Sequence, residues 1–224
     1  QIRKDEIDIL IDMSGHTAGN RLEVFARHPA PIQVTWGGYP GTTGLAAMDY
    51  RFVEHFFLES EGFKSQFTEK FVQLPAVSPF NGLETLVDVV ETPCLANGFL
   101  TLGSFNRLNK INREVVAAWC QVLKALPDSR LLMAAMPANG VPPEVLSWFE
   151  QEGVDTQRIT FHPRTDFVGY LELHAQVDLC LDTFPYTGGT TTNHALWMGV
   201  PTLTIAGDTY QSRQSAVFLR RVGL

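Results

Sequence analysis

Short apolar runs alternate along the chain with longer stretches in which apolar residues recur at helical spacing. Periodicity of this kind distinguishes strands from helices, and their regular alternation is typical of an α/β protein with parallel strands. The runs predict strands at residues 7–13, 32–36, 50–53, 71–74, 100–104, 131–134, 159–161, 177–181 and 202–205.

Amphipathic stretches in the second half of the chain predict helices at 113–125, 142–152, 166–175, 191–198 and 211–222. The first places Val115, Val116, Trp119, Val122 and Leu123 on one face, and the second opens with two prolines, which a first helical turn tolerates.

Proline and glycine interrupt every periodic pattern between residues 75 and 98, so this stretch reads as a connector. We therefore predict a partial N-terminal lobe at 1–80, a connector at 81–98 and a C-terminal lobe at 99–224. The repeated strand–helix order after residue 99 is typical of a doubly wound sheet, whose ligand binds beyond the carboxyl ends of the strands. Because the chain enters and leaves regular elements abruptly, we expect the first lobe to be incomplete and the second to lack its closing helix.

Composition narrows the class of protein. With 45% hydrophobic and 18% charged residues in 224, the chain can bury enough apolar surface to fold. A net charge of −7 argues against nucleic acid as a partner. No apolar run reaches membrane-spanning length, and the three cysteines are far apart without a CxxC pair. We therefore expect a cytoplasmic protein with no membrane partner and no metal site.

A glycine–threonine turn is the most informative motif. Asp182 ends a predicted strand, Gly188 and Gly189 follow, and Thr190, Thr191 and Thr192 lead into a predicted helix. Glycines let a ligand approach the backbone, and a helix start offers unpaired N–H groups and a positive dipole end, which together suit an anion. The run is neither a Walker A loop nor a GxGxxG fingerprint. A plain glycine turn capped by threonine explains the same residues equally well.

Three other loops carry candidate chemistry. Lys110 lies in the loop after the strand at 100–104, where its charge suits a phosphate, although a solvated lysine is the simpler explanation. His16 lies in a glycine-rich loop and is a candidate base, although an isolated loop histidine is more often a helix cap or exposed. The aromatic turn at 36–44 fits a structural role and a substrate contact about equally.

Three segments together carry a resemblance to a known family. They are DILIDMSGHTAGNRLEVFARHPAPIQVTWGGYPGTTGLAAMDY at 8–50, LGSFNRLNKI at 102–111 and DLCLDTFPYTGGTTTNHALWMGVPTLT at 178–204. In this order they resemble the catalytic region of O-GlcNAc transferases and SPINDLY-like proteins, glycosyltransferase family 41. The resemblance implies a GT-B type fold with two Rossmann-like doubly wound lobes, a nucleotide-sugar in the C-terminal lobe, and upstream tetratricopeptide repeats.

The resemblance also implies roles for individual residues of the donor site. Lys110 matches a lysine that contacts the donor diphosphate, with Asn106 in the same loop. Thr190 and Thr191 match threonines that hold the distal phosphate. The candidate donor site also comprises Asp182, Gly188, Gly189, Thr192, His162 and Arg164 at the strand end that lies against the uracil, Tyr170 in place of a base-stacking histidine, and His194 in place of an aspartate that contacts the ribose.

The implied reaction is inverting, metal-independent transfer of a sugar, GlcNAc in the first instance, from UDP to Ser or Thr hydroxyls of acceptor proteins, with no cofactor besides the donor. Lys110 and His16 are the candidate catalytic residues. The base proposed in some family members falls near Asp8, so the identity of the base stays open. Two other functions also fit: a nucleotide-binding or scaffolding module without turnover, and a sugar-nucleotide epimerase.

Overall fold

The computed structural model describes residues 1–78, 80–82 and 87–224. They form two units, Gln1–Asn81 with Gly207–Arg213, and Gly82–Ala206 with Gln214–Leu224. The first boundary lies at the start of the predicted connector, and the described connector residues that follow it belong to the second unit. Residue 79 of the predicted first lobe and residues 83–86 of the connector lie outside the described residues.

Unit 1 contains a four-stranded parallel sheet in the order β1-β2-β3-β4. The strands are β1 (Ile9–Asp12), β2 (Ile32–Thr35), β3 (Tyr50–Glu54) and β4 (Lys70–Leu74). Between them lie two four-residue helices, α1 (Leu22–Phe25) and α2 (Glu61–Lys64), and a 3-10 turn at His55–Phe57. The sequence pattern did not predict these short elements, because a single helical turn shows no periodicity.

Residues 207–213 pack in unit 1, although the sequence predicts them in the C-terminal lobe. The Ser60 hydroxyl donates to the Asp208 carboxylate at 2.6 Å. The Tyr210 ring stacks on the Phe57 ring with centroids 4.5 Å apart. These contacts involve residues about 150 positions apart, which no local pattern could reveal.

Unit 2 contains a five-stranded parallel sheet in the order β7-β6-β5-β8-β9. Its strands are β5 (Thr101–Ser104), β6 (Arg130–Met136), β7 (Ile159–Pro163), β8 (Leu179–Leu181) and β9 (Thr202–Leu203). The helices are α3 (Cys94–Asn97), α4 (Arg113–Ala125), α5 (Pro143–Gln151), α6 (Phe167–Glu172), α7 (Thr190–Trp197) and α8 (Tyr210–Arg221), whose first turn belongs to unit 1. Shorter 3-10 segments lie at Leu108–Lys110, Thr156–Arg158 and Leu173–Gln176.

The sheet of unit 2 is covered on both faces, which explains its uninterrupted apolar strands. Leu131 and Met133 of β6 pack with α4 and α5 residues in one buried cluster. Leu132 and Ala134 of the same strand pack in a second cluster that includes Ala195 of α7. Successive strand residues point to opposite faces, so β6 contributes to both clusters.

The structure confirms the predicted α/β class, the nine strands and four of the five predicted helices, which are α4, α5, α7 and α8. The predicted helix at 166–175 is in fact α6 followed by a 3-10 segment, and the connector contains α3. Because β5 has β6 on one side and β8 on the other, strand order reverses between β5 and β8. A doubly wound sheet binds its ligand at such a switch point. Within the described part of the chain, no helix combines the length and apolar character needed to cross a bilayer.

Candidate functional site

An open cavity of about 810 Å³ lies in unit 2 at the carboxyl ends of its strands. The loops after β5, β7 and β8, the last residues of β6, the first residues of α7 and parts of α6 and α8 line it. The described lining residues are Phe105, Asn106, Arg107, Asn109, Lys110, Ala134, Ala135, Pro163, Arg164, Thr165, Asp166, Phe167, Tyr170, Leu173, Tyr186, Gly189, Thr190, Thr191, His194 and Gln214. The cavity therefore lies where the strand order predicts a ligand.

Lys110 joins the loop after β5 to the glycine–threonine turn. Its ammonium donates to the carbonyl oxygen of Thr187 at 2.7 Å and lies 4.2 Å from the centroid of the Tyr186 ring. Partial burial lowers the pKa of Lys110, while the nearby charge of Asp182 opposes that shift. An anion bound in the cavity would stabilise the charged form of Lys110, which partial burial disfavours.

The three threonines at the start of α7 have different surroundings. Thr190 is exposed at the cavity, and Thr191 is half-buried with its hydroxyl donating to the side-chain oxygen of Asn106 at 3.1 Å. Thr192 is buried, and its hydroxyl lies 2.7 Å from that of Ser215. The first turn of a helix has N–H groups without intrahelical partners, so this end of the cavity attracts anions.

Aromatic side chains form another part of the cavity lining, which we call the aromatic wall. Phe167 is 45% exposed and its ring lies nearly parallel to that of Tyr170, with centroids 6.1 Å apart. Tyr170 also contacts the rings of Phe105, His174 and His194 edge-on, and its hydroxyl lies 3.3 Å from Nδ1 of His194. Burial raises the pKa of Tyr170 and lowers that of His194. The wall thus combines flat ring surface with two polar groups, the Tyr170 hydroxyl and the His194 imidazole.

Ala135 introduces backbone strain beside this wall. Its φ is +60°, in the left-handed region, at a point where the register of β6 against β7 shifts. Bulges and strained residues of this kind occur often next to functional sites, because they redirect the chain around a ligand.

In unit 1, two loops at the carboxyl ends of β1 and β2 are tied together. Nε2 of His16 lies 3.0 Å from the carbonyl oxygen of Thr43, and because a carbonyl only accepts, Nε2 is the donor of this hydrogen bond. The Asp12 carboxylate accepts from the backbone N–H groups of Ser14 and Gly15. His16 is itself exposed.

Glu69 anchors the second of these loops. Its carboxylate accepts from the Thr43 N–H at 2.7 Å and from the hydroxyls of Thr42 and Thr43. Burial alone would raise the pKa of Glu69, but these hydrogen bonds outweigh it and lower the pKa. The carbonyl that holds His16 therefore belongs to a well-anchored residue.

The sequence matches the model of Glycosyl transferase family 41 over residues 1–82 and 84–224. The chain belongs to this family. It is 39% identical to a probable UDP-N-acetylglucosamine–peptide N-acetylglucosaminyltransferase SPINDLY of Hordeum vulgare and 40% identical to that of Arabidopsis thaliana, covering all of this chain and 24% and 25% of theirs. A solved lysine-to-methionine variant of Thermobaculum terrenum O-GlcNAc transferase superposes with a TM-score of 0.81 at 36% identity, covering all of this chain and 42% of that one.

These comparisons confirm the family 41 resemblance and the GT-B type of fold. The chain spans about a quarter of the length of these curated relatives.

Most residues predicted for the family 41 donor site lie around one cavity. Those that line it are Asn106, Lys110, Arg164, Tyr170, Gly189, Thr190, Thr191 and His194. Asp182, Gly188 and Thr192 are buried behind the lining, and His162 is half-buried in β7 outside the described lining. His16 belongs to the other unit.

Sequence reasoning missed Phe167, Tyr186 and Gln214, which also line the cavity. Phe167 directly follows Asp166, whose carboxylate accepts from the Gly169 N–H and caps α6. The sequence signal that could have identified Phe167 is an aromatic residue at the start of a helix that follows a strand. Among the described residues, no group of three or more His, Cys, Asp and Glu side chains is arranged to hold a metal ion.

Proposed function

We propose that the protein is a glycosyltransferase that takes a sugar, GlcNAc in the first instance, from UDP and transfers it to Ser or Thr hydroxyls of acceptor proteins. Family membership and the names of the relatives support this reaction class. The observation that carries the proposal is the joint placement of Lys110 and the first turn of α7 around one cavity.

The reaction needs few parts. The acceptor hydroxyl oxygen bonds to the anomeric carbon while the bond from that carbon to the distal phosphate oxygen breaks, so the configuration inverts. Negative charge then gathers on the departing diphosphate. Lys110 and the α7 start would stabilise that charge, and donors already in place at a leaving group favour the transition state over the ground state. We propose that they do so without a metal ion.

The hydroxyl proton must pass to a base, and unit 1 offers His16. Because Nε2 donates to the Thr43 carbonyl, Nδ1 has a free lone pair for an acceptor hydroxyl. Asp8 is the other candidate, exposed just before β1. We propose that one of the two takes the proton, and that His16 contacts the acceptor in either case.

The aromatic wall would receive the nucleoside. Arg164 and His194 offer polar groups for the base and ribose, while Phe167 and Tyr170 offer flat apolar surface. Aromatic side chains stack on bases of any sequence because every base has a π-face.

The deciding experiment uses the natural full-length protein with UDP-GlcNAc and candidate acceptor proteins. We expect UDP release that depends on an acceptor, a gain of one GlcNAc mass on Ser or Thr, inversion at the anomeric carbon, and activity that persists in EDTA. UDP binding without sugar transfer would support a binding module instead. An altered sugar nucleotide formed without an acceptor would support an epimerase.

We also propose features of the full-length protein that rest on the family resemblance. They include protein acceptors as partners, upstream tetratricopeptide repeats and a cytoplasmic location. Mass spectrometry of proteins that co-purify with the full-length chain, and its fractionation from cells, would test these parts.

A further inference from the structure

Asp182 is a buried carboxylate that accepts four hydrogen bonds. It is 5% exposed and follows β8 directly. One oxygen accepts from the backbone N–H groups of Thr183 at 2.9 Å and Gly188 at 2.7 Å, and from the side-chain amide of Asn106 at 3.1 Å. The other oxygen accepts from the Thr204 hydroxyl at 2.7 Å.

These bonds reach two separate parts of the cavity wall. Asn106 lies in the loop after β5, and its side-chain oxygen accepts from the Thr191 hydroxyl in the first turn of α7. Gly188 follows Thr187, whose carbonyl holds the Lys110 ammonium. Through Asn106 and Gly188, Asp182 is therefore connected to both elements that the proposed function assigns to the diphosphate.

Asp182 itself is not among the described residues that line the cavity. Its negative charge would repel a diphosphate, so direct contact with the donor would be unfavourable. An ionised carboxylate is a pure acceptor with about four lone-pair sites, and four donors converge on this one. The chemistry fits an organising group and not a ligand.

Gly188 shows how closely the turn is packed. A Cβ placed there would overlap the hydroxyl of Thr192 and lie 2.9 Å from that of Thr191. Only glycine, which has no Cβ, lets the backbone at position 188 lie this close to the start of α7. The hydrogen bond from the Gly188 N–H to Asp182 holds the backbone in this position.

We propose that Asp182 is a positioning residue that holds the loop after β5 and the glycine–threonine turn in register, so that their donors meet at the distal phosphate. This inference rests on the proposed function, because it assigns that phosphate to the cavity. It replaces the direct donor contact that the sequence suggested for Asp182.

The test compares two ligands in the natural full-length protein. UDP carries the distal phosphate and UMP lacks it, so the ratio of their dissociation constants reports the distal-phosphate contacts alone. In the Asp182→Ala variant we expect UDP affinity to fall about tenfold or more, with UMP affinity nearly unchanged, because hydrogen bonds to charged groups are strong. If Asp182 acted only through its charge, removing it would tighten UDP binding, so the direction of the change separates the two roles.

Asp178 offers a matched control at the opposite end of β8. It is also a buried carboxylate, and it accepts from the Cys94 and Thr101 N–H groups, both at 2.7 Å. Asp178→Ala is expected to lower the thermal midpoint and leave the ratio of UDP to UMP affinity unchanged. A fall in that ratio in both variants would show a general loss of structure and overturn the inference.

If the Asp182→Ala variant fails to fold, the Asp182→Asn variant tests the positioning role. It keeps the shape and replaces charge-assisted hydrogen bonds by weaker neutral ones, so UDP affinity should fall about threefold. Unchanged or tighter UDP binding by this variant would overturn the positioning role while leaving the proposed function standing. A wild-type protein that binds UDP no better than UMP would instead overturn the proposed diphosphate site and the inference together.

Discussion

The Lys110 ammonium lies 2.7 Å from the carbonyl oxygen of Thr187. This bond joins two loops that are 77 residues apart in the chain. An ammonium has three N–H donors, so a carbonyl that takes one of them fixes the direction of the other two. The cation is consequently held in place before any ligand arrives, which is the condition for electrostatic stabilisation of a leaving group.

We predict that Lys110→Ala lowers the turnover of UDP-GlcNAc by about 10²- to 10³-fold, because removal of one preorganised donor costs about 3 to 4 kcal/mol of transition-state stabilisation. Single-turnover kinetics in the full-length protein measures the effect. Lys124→Ala is the control, since Lys124 forms an ion pair with Glu152 on the surface of α4, away from the cavity.

A Lys110→Ala enzyme that turns over at the wild-type rate would refute the assignment of this lysine. Equal losses in both lysine variants would point to a general effect of charge and not to a specific contact.

The same Thr→Val substitution should have different effects at positions 190 and 192 of α7. Thr190→Val should weaken UDP binding about five- to tenfold and change the free energy of unfolding by less than about 0.5 kcal/mol, because Thr190 is exposed and lines the cavity. Thr192→Val should cost about 1 to 2 kcal/mol of stability, because it removes the buried partner of Ser215. Calorimetry with UDP and urea unfolding measure the two quantities.

Each threonine variant serves as the control for the other. The assignment fails if Thr192→Val weakens binding more than Thr190→Val does, or if the stability losses come in the reverse order.

Sequence patterns predicted the elements of unit 2 well for a physical reason. A strand covered on both faces, such as β6, must be apolar throughout, and a 13-residue helix such as α4 repeats its apolar face several times. The four-residue helix α1 has no repeat to detect. The packing of Tyr210 on Phe57 depends on contacts between distant segments, which local patterns do not encode.

The sequence predicted where the site lies better than it predicted what each residue in the site does. Lys110 and Thr190 each follow a predicted strand of a doubly wound sheet, and the ligand of such a sheet binds beyond the carboxyl ends of its strands. Asp182 shares the glycine–threonine motif with Thr190, yet only the structure shows that it is buried and absent from the described cavity lining. Burial separates a ligand contact from a supporting group, and it depends on neighbours that the motif does not contain.

Phe167 is the more accessible ring of the aromatic wall. Tyr170 has neighbouring rings at its face and at its edges, whereas Phe167 is 45% exposed. We predict that Phe167→Ala weakens binding of uridine, UMP and UDP alike, by about 5- to 150-fold, because base–aromatic stacking is worth about 1 to 3 kcal/mol. Tyr170→Phe, which keeps the ring, should change uridine affinity less than about twofold.

Equilibrium binding of all three ligands checks the Phe167 prediction. A loss confined to UDP would argue against a nucleoside contact, since stacking does not depend on the phosphates. A larger effect of Tyr170→Phe would favour its hydroxyl as the base or ribose contact.

His174 should make the stability of unit 2 depend on pH. The residue is 1% exposed, its ring stacks on that of Phe105 at 3.7 Å, and burial lowers its pKa to about 4. Nδ1 lies 3.1 Å from the Tyr170 carbonyl, while Nε2 has no hydrogen-bond partner among the described residues, so the neutral ring fits this site and the protonated ring does not.

The unfolded chain takes up a proton at His174 below about pH 6.5, whereas the folded protein does so only near pH 4. The contribution of His174 to stability is therefore complete above pH 6.5 and declines as pH falls towards 4, by up to about 3 kcal/mol.

His174→Phe keeps the stacked ring and loses the proton site, so its stability should fall less over this range. Urea unfolding at a series of pH values measures the difference, which also isolates His174 from His194, whose pKa burial lowers in the same direction. The buried neutral imidazole is disproved if His174→Phe and the wild type lose stability equally between pH 6.5 and 4.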